Sequence, residues 1–447
     1  MGDNFCVAYI PIGVPTFHLE SAQAEFEKSC GMLQQMTKKA VCPEKMLLSL
    51  DDLERFMDRI CPDLIILQNI TFANAAYAGR VIKKFDCPII LWTLREPAMD
   101  GGRLRLNSLT GAYSAANTLV NAGNDRFLYV FGSPDEIEVQ GKIRAVIHAA
   151  GLKKKLSSLK IAAVGHTPQG FGFGCALESE LQNTFGAELV SVEARELMEL
   201  AGSYSDAECE RELEETENCT VCFRKTVKQN QKDHAKLLRA YKEFVDANHI
   251  GALSSLCWPD FFTSYKTPVC TVLSMLNDRN VAAACEADVY GALSMYIGMQ
   301  LTGSGVFFGD PVALDEKENT ITYWHCGMAP CSLAHPVTGA QVGVHPNRKI
   351  GPVMDFGCKP CSRVTVFRVG RMADGSFRFF LTSGRALDKE KQFTGTSVVV
   401  QTEHDSRKIV ESSVRDGWEP HFAVVYGNIK EELTALAKLL GLKVWEY

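Results

Sequence analysis

The sequence predicts an α/β fold in three parts: two doubly wound parallel-sheet domains (1–154 and 155–310), then a C-terminal antiparallel, barrel-like β domain (311–447) closed by a helix. Three features lead to it. Short apolar runs alternate with amphipathic helical patterns from the N-terminus onward. That rhythm restarts after a polar, basic run, GLKKKLSSLK. From about Pro311 the texture changes to β-rich runs separated by Gly, Asn and Pro turns. A chain of 447 residues is also too long for one ordinary core.

In order, FCVAYIPIG reads as a strand, SAQAEFEKSCGMLQQM as a helix, PDLIILQNI as a strand, then a helix to about Phe85 and the strand CPIILWTL. NSLTGAYSAANTLVNAG is a helix with Asn107 or Ser108 as its cap, and DRFLYVFG with the helix PDEIEVQGKIRAVIHAAG completes the first domain. The second opens on IAAVG and continues through AELVSVEA, a charged helix from about Gln229 to Asn248, and the strands GALSSLCW and VAAACEA. The acidic stretch ECERELEETE reads as a solvated helix face. In the third, NTITYWHCG, RVTVFRVGRMADGSFRFFLTSG and SVVVQTE are strands, and EELTALAKLLGL is the last helix. No solenoid-length repeat or low-complexity tract interrupts this.

With 46% hydrophobic and 22% charged residues and a net charge of −6, the chain offers no electrostatic reason to bind nucleic acid or an anionic membrane. A small neutral or locally anionic ligand fits better. MGDNFCVAYIPIG lacks the basic and apolar segments of a signal peptide, and no later run approaches the roughly 20 apolar residues of a membrane span. A cytoplasmic protein is expected. The sixteen cysteines are scattered through apolar segments (Cys6, Cys175, Cys270, Cys285), as free thiols are in a reducing compartment.

Four segments place a metal-capable side chain at the end of an apolar run: CEADVYGAL around Glu286, FFGDP around Asp310, WHCG around His325 and EPHFAVVYG around His421. Strand ends are where open α/β sheets put ligands, and two carboxylates with one or two imidazoles suit Mn²⁺ or another divalent ion. Each also has a plain structural reading. Glu286 suits the N-terminal end of the helix VYGALSMYIGMQL, Asp310 before Pro311 is a common turn residue, and a lone histidine is often structural. Two CxxC pairs, Cys219/Cys222 and Cys358/Cys361, stand too far apart for a zinc ribbon, and no base and orienting group surrounds Cys326 or Cys331. GFGFG at 170–174 fits neither the dinucleotide nor the Walker pattern and reads as a tight turn over a pocket.

The ordered set CEADVYGALSM, FFGDP, WHCGMAP and EPHFAVVYG resembles the metal-site signature of the L-fucose and L-arabinose isomerases, and LNSLTGAYSAANTL and VGHTPQGFGF agree with that family in type and order. The resemblance spans nearly the whole chain. It implies two doubly wound domains plus a β-barrel-like domain, and aldose–ketose interconversion through a cis-enediol on a divalent metal. Glu286 and Asp310 then correspond to the carboxylate ligands, which also act as acid and base, and His421 to the C-terminal histidine ligand. His325 stands where the arabinose-type enzymes have a ligand and the fucose-type do not. The family's assembly implies a homo-oligomer with pockets near subunit interfaces, where His18, Trp92 and Arg95 reach a neighbouring site; the alternative for Trp92 is burial beside CPIILWTL.

The chain is shorter than typical members and is similar to a compact branch, the sulfoquinovose isomerases, in length and motif wording. A sulfonate calls for guanidinium partners, with Arg95, Arg103 and Arg105 in REPAMDGGRLRLN, or Arg363 and Arg385, as candidates. A non-catalytic sugar-binding protein is the reading from another class, since two α/β domains flanking a cleft also build such binders. The carboxylate pair with His421 favours the enzyme.

Overall fold

The computed structural model describes residues 5–447. They divide into two compact units, one reaching to Lys155 and taking in Glu431–Leu442, the other formed by Leu156–Lys430 with Lys443–Tyr447.

The first unit is a five-stranded parallel sheet of β1 (Val7–Ile12), β2 (Ala40–Val41), β3 (Leu64–Asn69), β4 (Ile89–Thr93) and β5 (Leu128–Phe131), in the order β2-β1-β3-β4-β5. β1, β3 and β4 are buried along their whole length, which is why they read as unbroken apolar runs. Ile10, Ile65, Leu67 and Leu91 pack against Ala78, Val81, Ala112 and Leu119 of the crossover helices. The helix Ser108–Asn121 starts differently from expectation: Asn107 is left-handed (φ 51°) and makes no side-chain cap. Ser108 instead ties two strand ends together, its Oγ donating to the Asn69 carbonyl and accepting from the Leu94 N–H at 2.9 Å.

The second unit opens with a four-stranded parallel sheet of β6 (Lys160–Val164), β7 (Glu188–Val192), β8 (Ala252–Ser255) and β9 (Ala282–Cys285), ordered β7-β6-β8-β9. Its order reverses after the first strand, as in the first sheet, and such switch points leave a crevice outside the carboxyl ends of the strands. The acidic helix Glu210–Cys219 is not simply solvated: Glu212 is buried, and the Lys242 ammonium donates to Glu212 at 2.7 Å and to Glu215 at 2.8 Å.

The same unit holds the antiparallel barrel that the sequence predicts. After β10 (Phe307–Asp315) and β11 (Thr320–His325) comes a small ribbon, β12 (Val342–Gly343) with β13 (Val353–Met354). The long hairpin β14 (Cys361–Arg371) and β15 (Phe377–Ala386), then β16 (Thr396–Thr402) and β17 (Phe422–Val425), complete a six-stranded ring closed by the β14–β15 pairing. β18 (Lys443–Glu446) adds to β15 in parallel. The helix Val289–Thr302 is apolar on nearly all sides because it is buried against β9 and the barrel strands. Two glycines admit that packing: a Cβ on Gly291 would lie 2.5 Å from Phe308, and one on Gly298 2.5 Å from Val425. Among the described residues no helix is long and apolar enough to cross a membrane.

Candidate active site

β9 ends at Cys285, and the next two residues, Glu286 (φ 59°) and Ala287 (φ 54°), are both left-handed. Such a conformation costs an L-residue about 1–2 kcal/mol, so this tight turn is a strained one, held by neighbours. The Ala287 N–H donates to the Ser255 carbonyl at 3.1 Å and the Asp288 N–H to Cys285 at 3.3 Å. The loop 165–174 presses on the turn from above, and only a glycine fits at 174, where a Cβ would stand 2.8 Å from the Asp288 Cα. Asp288 then caps the following helix, its Oδ1 accepting from the Gly291 N–H at 2.8 Å.

The barrel brings up the other groups. β10 leaves β17 after the Gly309–Phe422 pair and joins β11 at Asp310–Trp324, so Asp310 stands at the changeover, next to a register shift at Pro311. His325 is the last residue of β11, and His421 immediately precedes β17. One donor atom each from Glu286, His325 and His421 lies within 4.8 Å of the other two. His421 Nε2 is 3.0 Å from Glu286 Oε2 and 3.5 Å from Asp310 Oδ1. Trp258, at the carboxyl end of β8, donates its indole N–H to Glu286 Oε1 at 2.9 Å. Phe171 and Phe173 meet Trp258 and His421 edge-on, and Phe308 lies against both imidazoles.

Behind this group lies a second tier. His421 Nδ1 bonds Asp288 Oδ2 at 2.9 Å, and the Arg368 guanidinium takes both Asp288 oxygens and donates to the His421 carbonyl at 2.9 Å. All three residues are buried. Burial pushes the Asp288 carboxyl up, but Arg368 and His421 outweigh it and hold it well below the usual carboxylate range. Burial alone would lower His421, yet its bonds to Asp288 and Glu286 raise it to about 10. Glu286 is likewise pushed up by burial, and its bond to His421 with the nearby imidazoles brings it down to about 2. For Asp310 burial prevails over the imidazoles and the carboxyl is raised.

The donor set fits a divalent ion. His421 Nε2 and Glu286 Oε2 stand side by side at 3.0 Å, an imidazole nitrogen and a carboxylate oxygen, both ligand types that a divalent ion would take. A carboxylate behind the far nitrogen of a histidine is the arrangement that fixes a metal-binding imidazole. His325 engages Cys326 Sγ through Nδ1 at 3.3 Å, leaving its other nitrogen for a ligand. Asp310 lies outside the tightest trio but beside it.

Other expected residues are placed as follows. His18 caps the helix Leu19–Met36, its Nδ1 accepting from the Ser21 N–H at 3.3 Å. Trp92 is fully buried, its indole N–H on the Gly132 carbonyl at 2.9 Å. Arg95 forms a forked ion pair with Glu136, Arg103 bonds the Thr16 carbonyl, and Arg105 pairs with Asp100 at 2.9 Å. In the barrel Arg363 pairs with Glu403 and Arg385 with Gln401. Cys219 lies 3.2 Å from Cys331, not against its CxxC partner.

Asp288, Arg368 and Trp258 were not anticipated from sequence. Asp288 is masked by its helix-cap role. Arg368 did carry a signal, a lone charge inside the apolar run VTVFRVG, which in a closed barrel points to a buried partner. Nothing in LCWPD marks Trp258.

No family model matches the chain. Over 444 residues it is 63% identical to the sulfoquinovose isomerase of Clostridium sp. (strain MSTE9), covering 99% of both proteins. It is 37% identical to that of Priestia aryabhattai, again over 99% of each, and 34% identical to that of Alkalicoccus urumqiensis over 98% of this chain and 99% of the other. Agreement of this extent over nearly the full length of each protein carries one conclusion: the chain belongs to the sulfoquinovose isomerase family.

Proposed function

We propose that the protein converts sulfoquinovose to sulfofructose, an aldose-to-ketose isomerisation through a cis-enediol, with Mn²⁺ as the preferred ion held by Glu286, His325, His421 and Asp310. The observation that carries this reading is the convergence of Glu286, His325 and His421 within 4.8 Å, with Asp310 beside them. When bound, the ion supplies a Lewis acid that polarises the two neighbouring substrate oxygens.

The protein's own groups do the rest. One carboxylate of the pair Glu286 and Asp310 takes the proton from C2 of the open-chain aldose; the electron pair enters the C1–C2 bond as O1 gains a proton. The enediol collapses when the proton is returned to C1 and O2 gives up its own, leaving the C2 ketone. Asp288 and Arg368 hold the His421 ring in one orientation throughout. Phe171, Phe173 and Phe308 set apolar rings against Trp258 and His421, which limits water beside the reacting groups. The protein works in the cytoplasm as a homo-oligomer with pockets near subunit interfaces.

The test is turnover by purified protein, stripped with chelator and reloaded with Mn²⁺, on sulfoquinovose, L-fucose, L-arabinose and D-arabinose, with Glu286→Gln as control. Metal-dependent sulfofructose formation that the variant loses is the expected result. Tight sugar binding that ignores the chelator, without turnover, would replace the enzyme with a binder.

A further inference from the structure

We propose that Arg348 binds the sulfonate end of the sugar and so selects an anionic over a neutral aldose; this rests on the isomerase reading above and supplies the anchor it lacks. A sulfonate is best held by charge-assisted hydrogen bonds from a guanidinium whose N–H groups are not already spent. Most arginines near the site are spent. Arg368 is locked to Asp288, Arg371 forms a fork with Glu180, and Arg378 lies between Trp418 and Trp445 while donating to two backbone carbonyls.

Arg348 differs. Among the described residues no hydrogen bond or ion pair engages its guanidinium, whose neighbour is the Trp258 ring, with the guanidinium carbon 5.5 Å from the ring centroid. That contact consumes no N–H donor. The same indole donates to Glu286 at 2.9 Å, so a single tryptophan spans from the free cation to the reacting carboxylate. This separation is what the substrate needs. C1 and C2 react at one end of the hexose chain and the sulfonate sits on C6 at the other, so its cation must stand off from the metal-capable group.

Arg348 is also presented on a built turn. It lies between β12 and β13, where the His345 ring accepts from the backbone N–H groups of Asn347 at 3.3 Å and Arg348 at 3.2 Å. The Lys349 N–H closes the turn on the His345 carbonyl at 2.9 Å, and the His345 ring packs edge-on against Phe262, four residues after Trp258. The backbone is therefore held relative to Trp258 while the side chain stays exposed.

The experiment compares wild type, Arg348→Gln and Arg348→Lys on sulfoquinovose and on its neutral counterpart without the sulfonate, 6-deoxy-D-glucose. The ratio of kcat/KM for the two sugars falls at least tenfold in Arg348→Gln, mainly through KM for sulfoquinovose, and Arg348→Lys recovers part of it. Titration calorimetry with sulfoquinovose on chelator-stripped protein shows at least tenfold weaker binding by Arg348→Gln, and unchanged melting temperatures show that the variants fold. A ratio and an affinity within twofold of wild type overturn the proposal. If wild type turns over neither sugar, the isomerase reading falls by itself, and the calorimetric comparison still decides whether Arg348 holds the sulfonate.

Discussion

Asp288 serves three partners: it caps the helix Val289–Thr302, neutralises Arg368 and holds the far nitrogen of His421. Removing its charge takes from the buried Arg368 its directly bonded counter-ion and leaves only Glu419 at 3.9 Å, a loss of up to about 3–5 kcal/mol, and frees the imidazole to turn. Asp288→Asn is therefore expected to lower the urea midpoint strongly and to weaken Mn²⁺ retention by about 10–100-fold, the second effect measured by competition with a chelator. Position in the sequence singled out Glu286, Asp310, His325 and His421 as candidates, because each is a metal-capable side chain at one end of an apolar run. It could not give Asp288 this role, because the partner that defines it, Arg368, is 80 residues away. A second buried group answers to pH. His234 is fully buried with its Nδ1 unpartnered, and burial lowers it from 6.5 to about 3. The unfolded chain then binds the extra proton between those values, so stability present above pH 6.5 is lost as pH falls. From pH 7 to pH 5 this amounts to about 2 kcal/mol, and His234→Gln should flatten that part of the urea-midpoint profile.

At the scale of elements, the helix Val289–Thr302 shows a choice that propensity opposes. Glycine inside a helix costs about 1 kcal/mol relative to alanine, yet Gly291 and Gly298 face Phe308 and Val425 at distances no Cβ can occupy. Gly291→Ala and Gly298→Ala should each destabilise by about 1–3 kcal/mol, against the propensity gain, in thermal or urea unfolding. They should differ in activity. Phe308 lies 4.9 Å from the His421 ring and 5.9 Å from His325, so displacing it through Gly291→Ala disturbs the site, whereas Gly298→Ala affects stability alone. The strands and this helix were legible because unbroken apolar runs record burial on all sides directly. The left-handed turn at Glu286 and Ala287 was not, since neither residue is glycine and the strain is carried by contacts with Ser255 and Gly174. The helix Glu210–Cys219 misled for a similar reason: a charged face reads as solvated until a buried Lys242 is known to answer it.

For the whole molecule, the alternation of strand and helix, its restart near residue 155 and the turn-rich texture after Pro311 were enough to give two parallel sheets and a barrel. They could not show that the second sheet and the barrel fold into one compact unit, or that Glu431–Leu442 belongs with the first. Those are properties of which faces meet, and pairing between distant segments leaves no local pattern. The candidate site lies wholly in the second unit, assembled from the turn after β9 and from β10, β11 and the start of β17. A ligand that binds only the folded site stabilises what it bridges, by about 2.7 kcal/mol at a concentration one hundred times its Kd. Adding Mn²⁺ should therefore slow amide hydrogen exchange in 282–291, 307–311, 320–326 and 420–425 together. The strands of the first unit, β1, β3 and β4, should exchange as before. Glu286→Gln should abolish the protection in all four segments at once, because all four would owe it to one shared ion. Protection confined to the segment around Glu286 would mean that the ion does not join sheet to barrel, and the four-residue site would have to be withdrawn.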